Sequence, residues 1–436
     1  MKKYLYLTVL FSVVFSCSVP PHPGPVFDSE IMHLANRKLI DLSMEDIYSP
    51  TVVSRVLAYP NIAAYEVLLH NKNKSLMKAL YKDWNFTSLQ DSSIIDYSLA
   101  SITAFSFVAK KLVFSEYKMD SFMEEVKQKA TEKGISENRM NSSIQYGDSV
   151  AKEIMKWVSK DNYAEVRGST RYTLKQTDST WSLTPPNYEP AMDPNWHMMR
   201  PLVMDSASAC KPDRPIPYSG EKNSLFYNLA KAVIDTSKTL SDEQKNIALY
   251  WDDNPNEYIS RGHNMTFSHK ISPPCHWMNI AIQIFKLNQT DLMTCTKTYC
   301  QLAIGIYDGI LSCWEEKFRS EVIRPVTYIN RFIDDKWSPF IQTPPFPEYT
   351  SGHSVTSGAA ATILEHQFGA ISFSDSTEIM FGMKPRTFES PMQAANEASM
   401  SRFYGGIHYI PAISVGLNQG KEVGQHCIDF FTKNNL

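Results

Sequence analysis

The sequence predicts an all-α protein, and three observations predict it. Apolar residues recur at helical spacing over ten stretches, strand-type alternation is scarce, and a chain of 436 residues that is 43% hydrophobic can bury a large core. The helical stretches are 45–69, 94–117, 119–132, 143–159, 222–237, 241–251, 276–288, 294–323, 353–367 and 411–431. Gly/Ser linkers and internal repeats are absent from the sequence, so one large helical domain over 41–436 is expected. A formal charge of -3 gives no bias towards nucleic acid.

The N-terminus is of a different kind. Lys2 and Lys3 lead an apolar run from Tyr4 to Phe15 and then Ser16-Cys17, the layout of a secretory signal. Val14-Phe15-Ser16-Cys17 resembles a bacterial lipobox, whose cysteine is lipidated after cleavage. The expectation is a signal peptide over 1–17 with lipidation at Cys17, then a tether over 18–40 that includes the Pro-rich stretch 20–25. The protein is then an exported lipoprotein facing the periplasm of a Gram-negative envelope, with an ordinary cleaved signal as the plainer alternative. The apolar run is too short to span a bilayer and no later segment is expected to span one, so the lipid is the only membrane contact.

Between about 160 and 220 the helical pattern lapses into a passage with Trp181, Pro185-Pro186, Tyr188, Pro190, Pro194 and Trp196. Its aromatic content argues against disorder, so it is expected to pack over the helices and wall a pocket. Ser241-Asp242-Glu243-Gln244 has the side chains of a helix N-cap with an acidic first turn. Beyond Cys17, the six cysteines Cys210, Cys275, Cys295, Cys300, Cys313 and Cys427 permit disulfides, with Cys295 and Cys300 the nearest neighbours. No second pair completes a zinc site with those two.

Three segments carry chemistry. In the first, Lys317 and Arg324 stand seven residues apart, so a continuous helix ended by Pro325 puts both cations on one face. In the second, Ser351-Gly352-His353 opens an apolar helix after Thr343-Pro344-Pro345-Phe346-Pro347. A hydroxyl, free backbone N–H groups and an imidazole there meet the positive end of the helix dipole, a good seat for an oxyanion. In the third, Gly405-Gly406 breaks the helix so that Arg402 and His408 converge. Each segment alone reads equally well as a solvated face, a capped turn or a structural residue. Together they make a cationic pocket for a tetrahedral oxyanion.

The pattern Lys317, Arg324-Pro325, Ser351-Gly352-His353, Ser401-Arg402 and His408 resembles the superfamily that unites vanadium-dependent haloperoxidases with type 2 phosphatidic acid phosphatases and bacterial acid phosphatases. Tyr250-Trp251-Asp252-Asp253-Asn254-Pro255, His276-Trp277 and Gly405-Gly406-Ile407-His408 resemble the soluble haloperoxidase branch, as do Trp314 and Phe346. The resemblance covers roughly residues 45 to 430 and implies a large helical bundle. Two positions depart from the family pattern: Thr350 replaces a Pro, and Ala412 stands where many members place an Asp four residues after the last His. Without that carboxylate, His408 needs another orienting group, such as a backbone carbonyl or a water.

The resemblance implies halide oxidation by hydrogen peroxide on vanadate bound to His408. Lys317, Arg324, Ser351, Gly352 and Arg402 hold the oxyanion, His353 handles protons, and Lys317 polarises the peroxide. Asp253 is either a helix-terminal cap or an acid that orients Arg402 or Arg324. As an acid phosphatase, needing no cofactor, the same pocket hydrolyses phosphate monoesters, possibly of lipids, through a phosphohistidine at His408. A third reading is a lipoprotein that binds oxyanions without turning them over.

Overall fold

The protein was analysed as a computed structural model that describes residues 24–87, 92–255, 257–261 and 263–436. The signal peptide, Cys17 and the start of the tether lie outside these residues. The first half carries α1 (Glu30–Glu45), α2 (Pro50–His70), α3 (Met77–Leu80), α4 (Tyr97–Lys110), α5 (Glu116–Glu132), α6 (Glu137–Val158) and α7 (Tyr163–Gly168). The second carries α8 (Leu225–Ser237), α9 (Asp242–Tyr250), α10 (Pro273–Leu287), α11 (Leu292–Ser320), α12 (Pro325–Phe332), α13 (Gly352–Phe368), α14 (Pro391–Tyr404) and α15 (Ile410–Lys433). Two antiparallel ribbons complete it: β1 (Tyr258–Arg261) with β2 (Asn264–Phe267), and β3 (Phe373–Asp375) with β4 (Arg386–Phe388).

The main core forms where α2, α4, α11, α13 and α15 pack along one another. The sequence reading found no segment after the N-terminus that could span a bilayer. α2 is in fact long and apolar enough, but it is buried on every side from Thr51 to Leu69, as a helix that is apolar all round must be in a large core. A smaller cluster of Phe226, Val326, Tyr328, Ile329, Tyr409 and Ile413 joins α8, α12 and the start of α15.

The structure corrects four expectations. The tether does not run to residue 40: Phe27, Ile31, Met32, Ala35 and Leu39 are buried, and α1 packs into the core. The chain is secured there by the Val26 and Phe27 N–H groups, which donate to Asp96 Oδ2 (2.9 Å) and Ser98 Oγ (3.0 Å). The stretch 94–117 is not one helix. The Asp46 carboxylate accepts the Phe114 N–H (2.9 Å) and the Ser115 hydroxyl (2.6 Å), fixing a turn between α4 and α5. All six cysteines beyond Cys17 are buried free thiols. Cys295 and Cys300 share α11 but point roughly 140° apart around it, which rules out a bridge.

The fourth correction concerns the first cationic segment. Lys317 and Arg324 do not share a helix: α11 ends at Ser320, Glu321 takes the left-handed conformation (φ 48°), and Arg324 is the N-cap of α12. Pro325 therefore starts a helix instead of ending one, since at the first helical position its missing N–H costs nothing. The irregular passage holds the break in place. Trp181 N–H donates to the Glu321 carbonyl (2.7 Å), while Tyr172 Oη (2.5 Å) and Lys175 Nζ (2.6 Å) reach the Glu321 carboxylate. That passage is anchored in turn by α11, where the buried Asp308 carboxylate accepts the N–H groups of Leu202 (2.8 Å), Val203 (2.9 Å) and Met204 (3.1 Å). The expected capping box at Ser241 and Gln244 is present.

Candidate oxyanion site

The three predicted segments converge on one pocket, lined by Trp314, Phe346, Gly352, His353, Arg402 and His408, with Met192 of the irregular passage in its wall. Lys317, fully buried in the last turn of α11, donates to the carbonyls of Pro347 (2.9 Å), Glu348 (3.2 Å) and Thr350 (2.5 Å). Burial, helped by Arg324, pulls its ammonium down to about 8 against the opposing pull of Cys313 and Glu348. Three carbonyls taking three N–H groups favour the charged form, so Lys317 is an ammonium at neutral pH.

Arg324 gives Nε–H to the Phe346 carbonyl (2.9 Å) and Nη1–H to the Ile407 carbonyl (2.8 Å), with Nη1 also 3.1 Å from His408 Nε2. Its Nη2 is buried without a partner. The Phe346 ring lies 5.0 Å from Lys317 Nζ, 5.1 Å from the Arg324 guanidinium and 5.1 Å from the Trp314 ring, so both predicted aromatics stand beside the cations.

Ser351 caps α13, its Oγ accepting the Ser354 N–H (3.4 Å), and its own N–H donates to the Ala412 carbonyl (3.0 Å). Gly352 and His353 open the helix at its positive end. On α14, Arg402 donates through Nη1 to the Trp251 carbonyl and lies 3.1 Å from His353 Nε2, while its Nε is buried without a partner. Gly406, at φ 80°, then turns the chain as expected, a conformation in which a Cβ is strained, and returns His408 to the pocket.

His408 is not oriented by a backbone carbonyl or a water. Its Nδ1 lies 2.8 Å from Glu348 Oε1, which also accepts the Tyr409 N–H (3.0 Å). Glu348 is buried, and its carboxyl is pushed up to about 7 by that burial, against the pull of Arg324, the Tyr409 N–H and Lys317. Because Oε1 already accepts the Tyr409 N–H, it accepts from His408 as well, so Nδ1 carries the hydrogen and Nε2 keeps its lone pair facing Arg324. Burial first, then Arg324, Lys317 and Arg402, hold His408 well below the usual imidazole range, and burial with Arg402 does the same to His353.

Asp253 caps no helix, and its charge acts on Arg402 without a direct hydrogen bond to it. It lies beyond the end of α9, and its Oδ1 meets His276 Nδ1 (3.0 Å) instead of an arginine. Its neighbour Asp252 is the acid that faces Arg402, with Oδ1 3.6 Å from Nη2, and it is paired with Lys270 (2.6 Å).

Comparison with known proteins agrees with this geometry. Residues 297–435 match the family model described as the VCPO second helical-bundle domain. A bacterial vanadium-dependent iodoperoxidase of known structure is 38% identical, with a TM-score of 0.87 over 93% of this chain and 97% of that one. The chain belongs to the vanadium haloperoxidase family. Holo and apo structures of a bacterial vanadium-dependent chloroperoxidase share the fold. They are 14% and 16% identical, with TM-scores of 0.65 and 0.64 over 89% and 88% of this chain and 94% and 95% of the other. No curated protein matches the sequence.

The vanadium haloperoxidases are enzymes that depend on vanadium, and vanadium in the form of vanadate is an oxyanion. The residues of this family member fit such a group. Two buried guanidinium nitrogens, Arg324 Nη2 and Arg402 Nε, lack partners, and the His408 imidazole presents the Nε2 lone pair beside Arg324. The sequence reading missed Glu348, Asp252, His276 and Asp375. Glu348 stands between Pro347 and Ser351, inside the second of the three segments, and that place was the one available signal for a buried acid.

Proposed function

We propose that this haloperoxidase oxidises iodide with hydrogen peroxide on a vanadate held by His408. The observation that carries the reading is the Glu348–His408 pair, which turns the Nε2 lone pair towards Arg324 inside a cationic pocket, where a bound oxyanion can take it as a ligand. The 38% identity to an iodoperoxidase supports the choice of halide. Bound vanadate supplies a Lewis-acidic centre at which peroxide becomes susceptible to attack by a halide.

The chain's own residues do the rest. Lys317, Arg324 and Arg402 neutralise the oxyanion, and fixed charges in a buried site stabilise negative charge without reorganisation. Ser351 and the Gly352 N–H complete the seat at the α13 N-terminus. His353, neutral at rest, accepts and returns protons at its Nε2. Halide, peroxide and one proton give hypohalous acid and water, so one proton is taken up per turnover.

The test is to load the purified protein with orthovanadate and measure peroxide-dependent oxidation of iodide, bromide and chloride, with His408→Ala as control. Iodide oxidation lost in His408→Ala supports the reading. Phosphate-ester hydrolysis that vanadate inhibits, without halide oxidation, would establish the phosphatase alternative. Vanadate binding with neither activity would leave an oxyanion-binding protein. Export with a lipid on Cys17 is part of the same proposal, supported by the Lys2 to Cys17 layout. Fatty-acid labelling that persists in Cys17→Ser would refute the anchor.

A further inference from the structure

Behind the pocket lies a buried cluster that the proposed chemistry does not use. His276 of α10 is fully buried and stacks on Trp251 (ring centroids 4.5 Å apart, interplanar angle 17°). Its Nδ1 is 3.0 Å from Asp253 Oδ1 and its Nε2 is 2.8 Å from Asp375 Oδ2 at the end of β3. Ionised, both carboxyl groups only accept, and satisfying the two contacts then requires a hydrogen on each ring nitrogen; burial raises the Asp253 carboxyl, against the pull of His276 and Arg402.

Asp375 is held firmly. Its Oδ1 accepts the N–H and Oγ1–H of Thr377 (2.9 and 2.6 Å) and Gln283 Nε2–H (3.2 Å). Burial opposes its ionisation, but His276 and these hydrogen bonds outweigh that and keep the carboxyl at about 2. Glu378 Oε1 lies 3.9 Å from His276 Nδ1, and burial with the nearby Asp253 lifts its carboxyl to about 8, so it is neutral at pH 7.

The segment that His276 grips meets the site at three points. The Trp251 carbonyl accepts Arg402 Nη1–H, Asp252 Oδ1 is 3.6 Å from Arg402 Nη2, and Asp253 Oδ2 is buried without a hydrogen-bond partner 3.8 Å from His353 Nε2. We propose that His276 is a positioning residue: as an imidazolium clamped between Asp253 and Asp375, it fixes the segment Trp251–Asp253 beneath Arg402 and His353. The titratable groups that face it or lie next to it are Asp253, Asp375, Glu378, Tyr250 and His353. Its two carboxylate partners outweigh the burial that opposes its charge. A neutral ring would free one carboxylate contact and loosen the segment that orients both site residues.

The inference rests on the oxyanion-site reading but not on halide oxidation. Its first test is ¹⁵N NMR of histidine-labelled, vanadate-free protein, where both ring nitrogens of His276 are expected to be protonated at neutral pH. The second is calorimetry with orthovanadate, where His276→Gln and Asp375→Asn are expected to weaken binding about 10- to 100-fold. A structural role alone would lower thermal stability and leave the affinity of the folded fraction unchanged. Unchanged affinity in either folded variant overturns the proposal, and so does a neutral imidazole. A stoichiometric divalent ion in the purified protein would also overturn it, since Asp253, His276 and Glu378 are close enough to hold one. If His276→Gln does not fold, Asp375→Asn and the nitrogen shifts decide. Protein that binds vanadate but oxidises no iodide refutes the proposed activity and leaves this inference standing.

Discussion

Glu348 Oε1 accepts from two consecutive residues, the Nδ1–H of His408 at 2.8 Å and the backbone N–H of Tyr409 at 3.0 Å. One buried oxygen thus fixes the ring, its tautomer and the start of α15. Position 412 is an alanine, and the carboxylate that meets His408 comes from 60 residues before it in the chain. Glu348→Gln keeps the shape and loses the charge that makes Nε2 a strong donor to metal. Vanadate affinity, read by calorimetry, should fall about 10- to 100-fold while the denaturation midpoint moves little. Unchanged affinity would show that His408 does not need the carboxylate.

Arg324 spends Nε and Nη1 on the Phe346 and Ile407 carbonyls and keeps Nη2 for the anion. A lysine cannot hold two loops and face a ligand at once. Arg324→Lys is therefore expected to weaken vanadate binding about 100-fold and also to destabilise the fold by about 2 kcal/mol, because buried carbonyls lose their donors. Urea denaturation and vanadate calorimetry together check this, and a variant with wild-type values in both would contradict the geometry.

The site was legible in the sequence where a local motif carried it. Lys317, Ser351, His353, Arg402 and His408 each sit in a segment whose neighbours announce a helix end or a turn, and the structure brings them together. The roles of Glu348 and His276 were not legible, because they are set by partners 60 and 99 residues away, although His276 itself opens a helical stretch and stands in the His276-Trp277 pair. The break at Glu321 was missed for a related reason. Apolar spacing runs on to 323, no glycine marks the left-handed residue, and what stabilises it is a contact with Tyr172, Lys175 and Trp181 from a distant passage. α1 was read as tether because the Pro-rich stretch before it coloured the reading of an amphipathic segment.

Lys317 gives a pH prediction whose sign follows from its burial. Its folded value is about 8, against 10.5 when unfolded, so between those values the unfolded chain holds a proton that the folded chain has lost. Stability of the vanadate-free protein should therefore rise with pH across that window, by up to ~3 kcal/mol relative to Lys317→Met. Vanadate affinity should do the opposite and weaken above pH 8, because binding favours the ammonium. Denaturation and calorimetry at pH 7.5, 8.5 and 9.5 test both limbs, and parallel curves for wild type and Lys317→Met would refute them.

The seat of the anion depends on how closely α13 and α15 approach, and two glycines separate that requirement from ordinary packing. A Cβ on Gly420 would stand 2.1 Å from the Val355 carbonyl oxygen, a backbone atom of α13 that cannot move without shifting the helix that Ser351 caps. A Cβ on Gly309 of α11 would meet Val355 Cγ1 at 3.5 Å, Ala359 Cβ at 3.8 Å and the Val355 carbonyl oxygen at 4.0 Å, ordinary contact distances. Gly420→Ala is expected to destabilise by about 3 kcal/mol or more and to impair vanadate binding, as overpacking forces the helices apart. Gly309→Ala should be neutral or stabilising by about 0.5–1 kcal/mol through helix propensity alone. Equal effects of the two substitutions in urea denaturation would mean that close contact between α13 and α15 does not set the position of the seat.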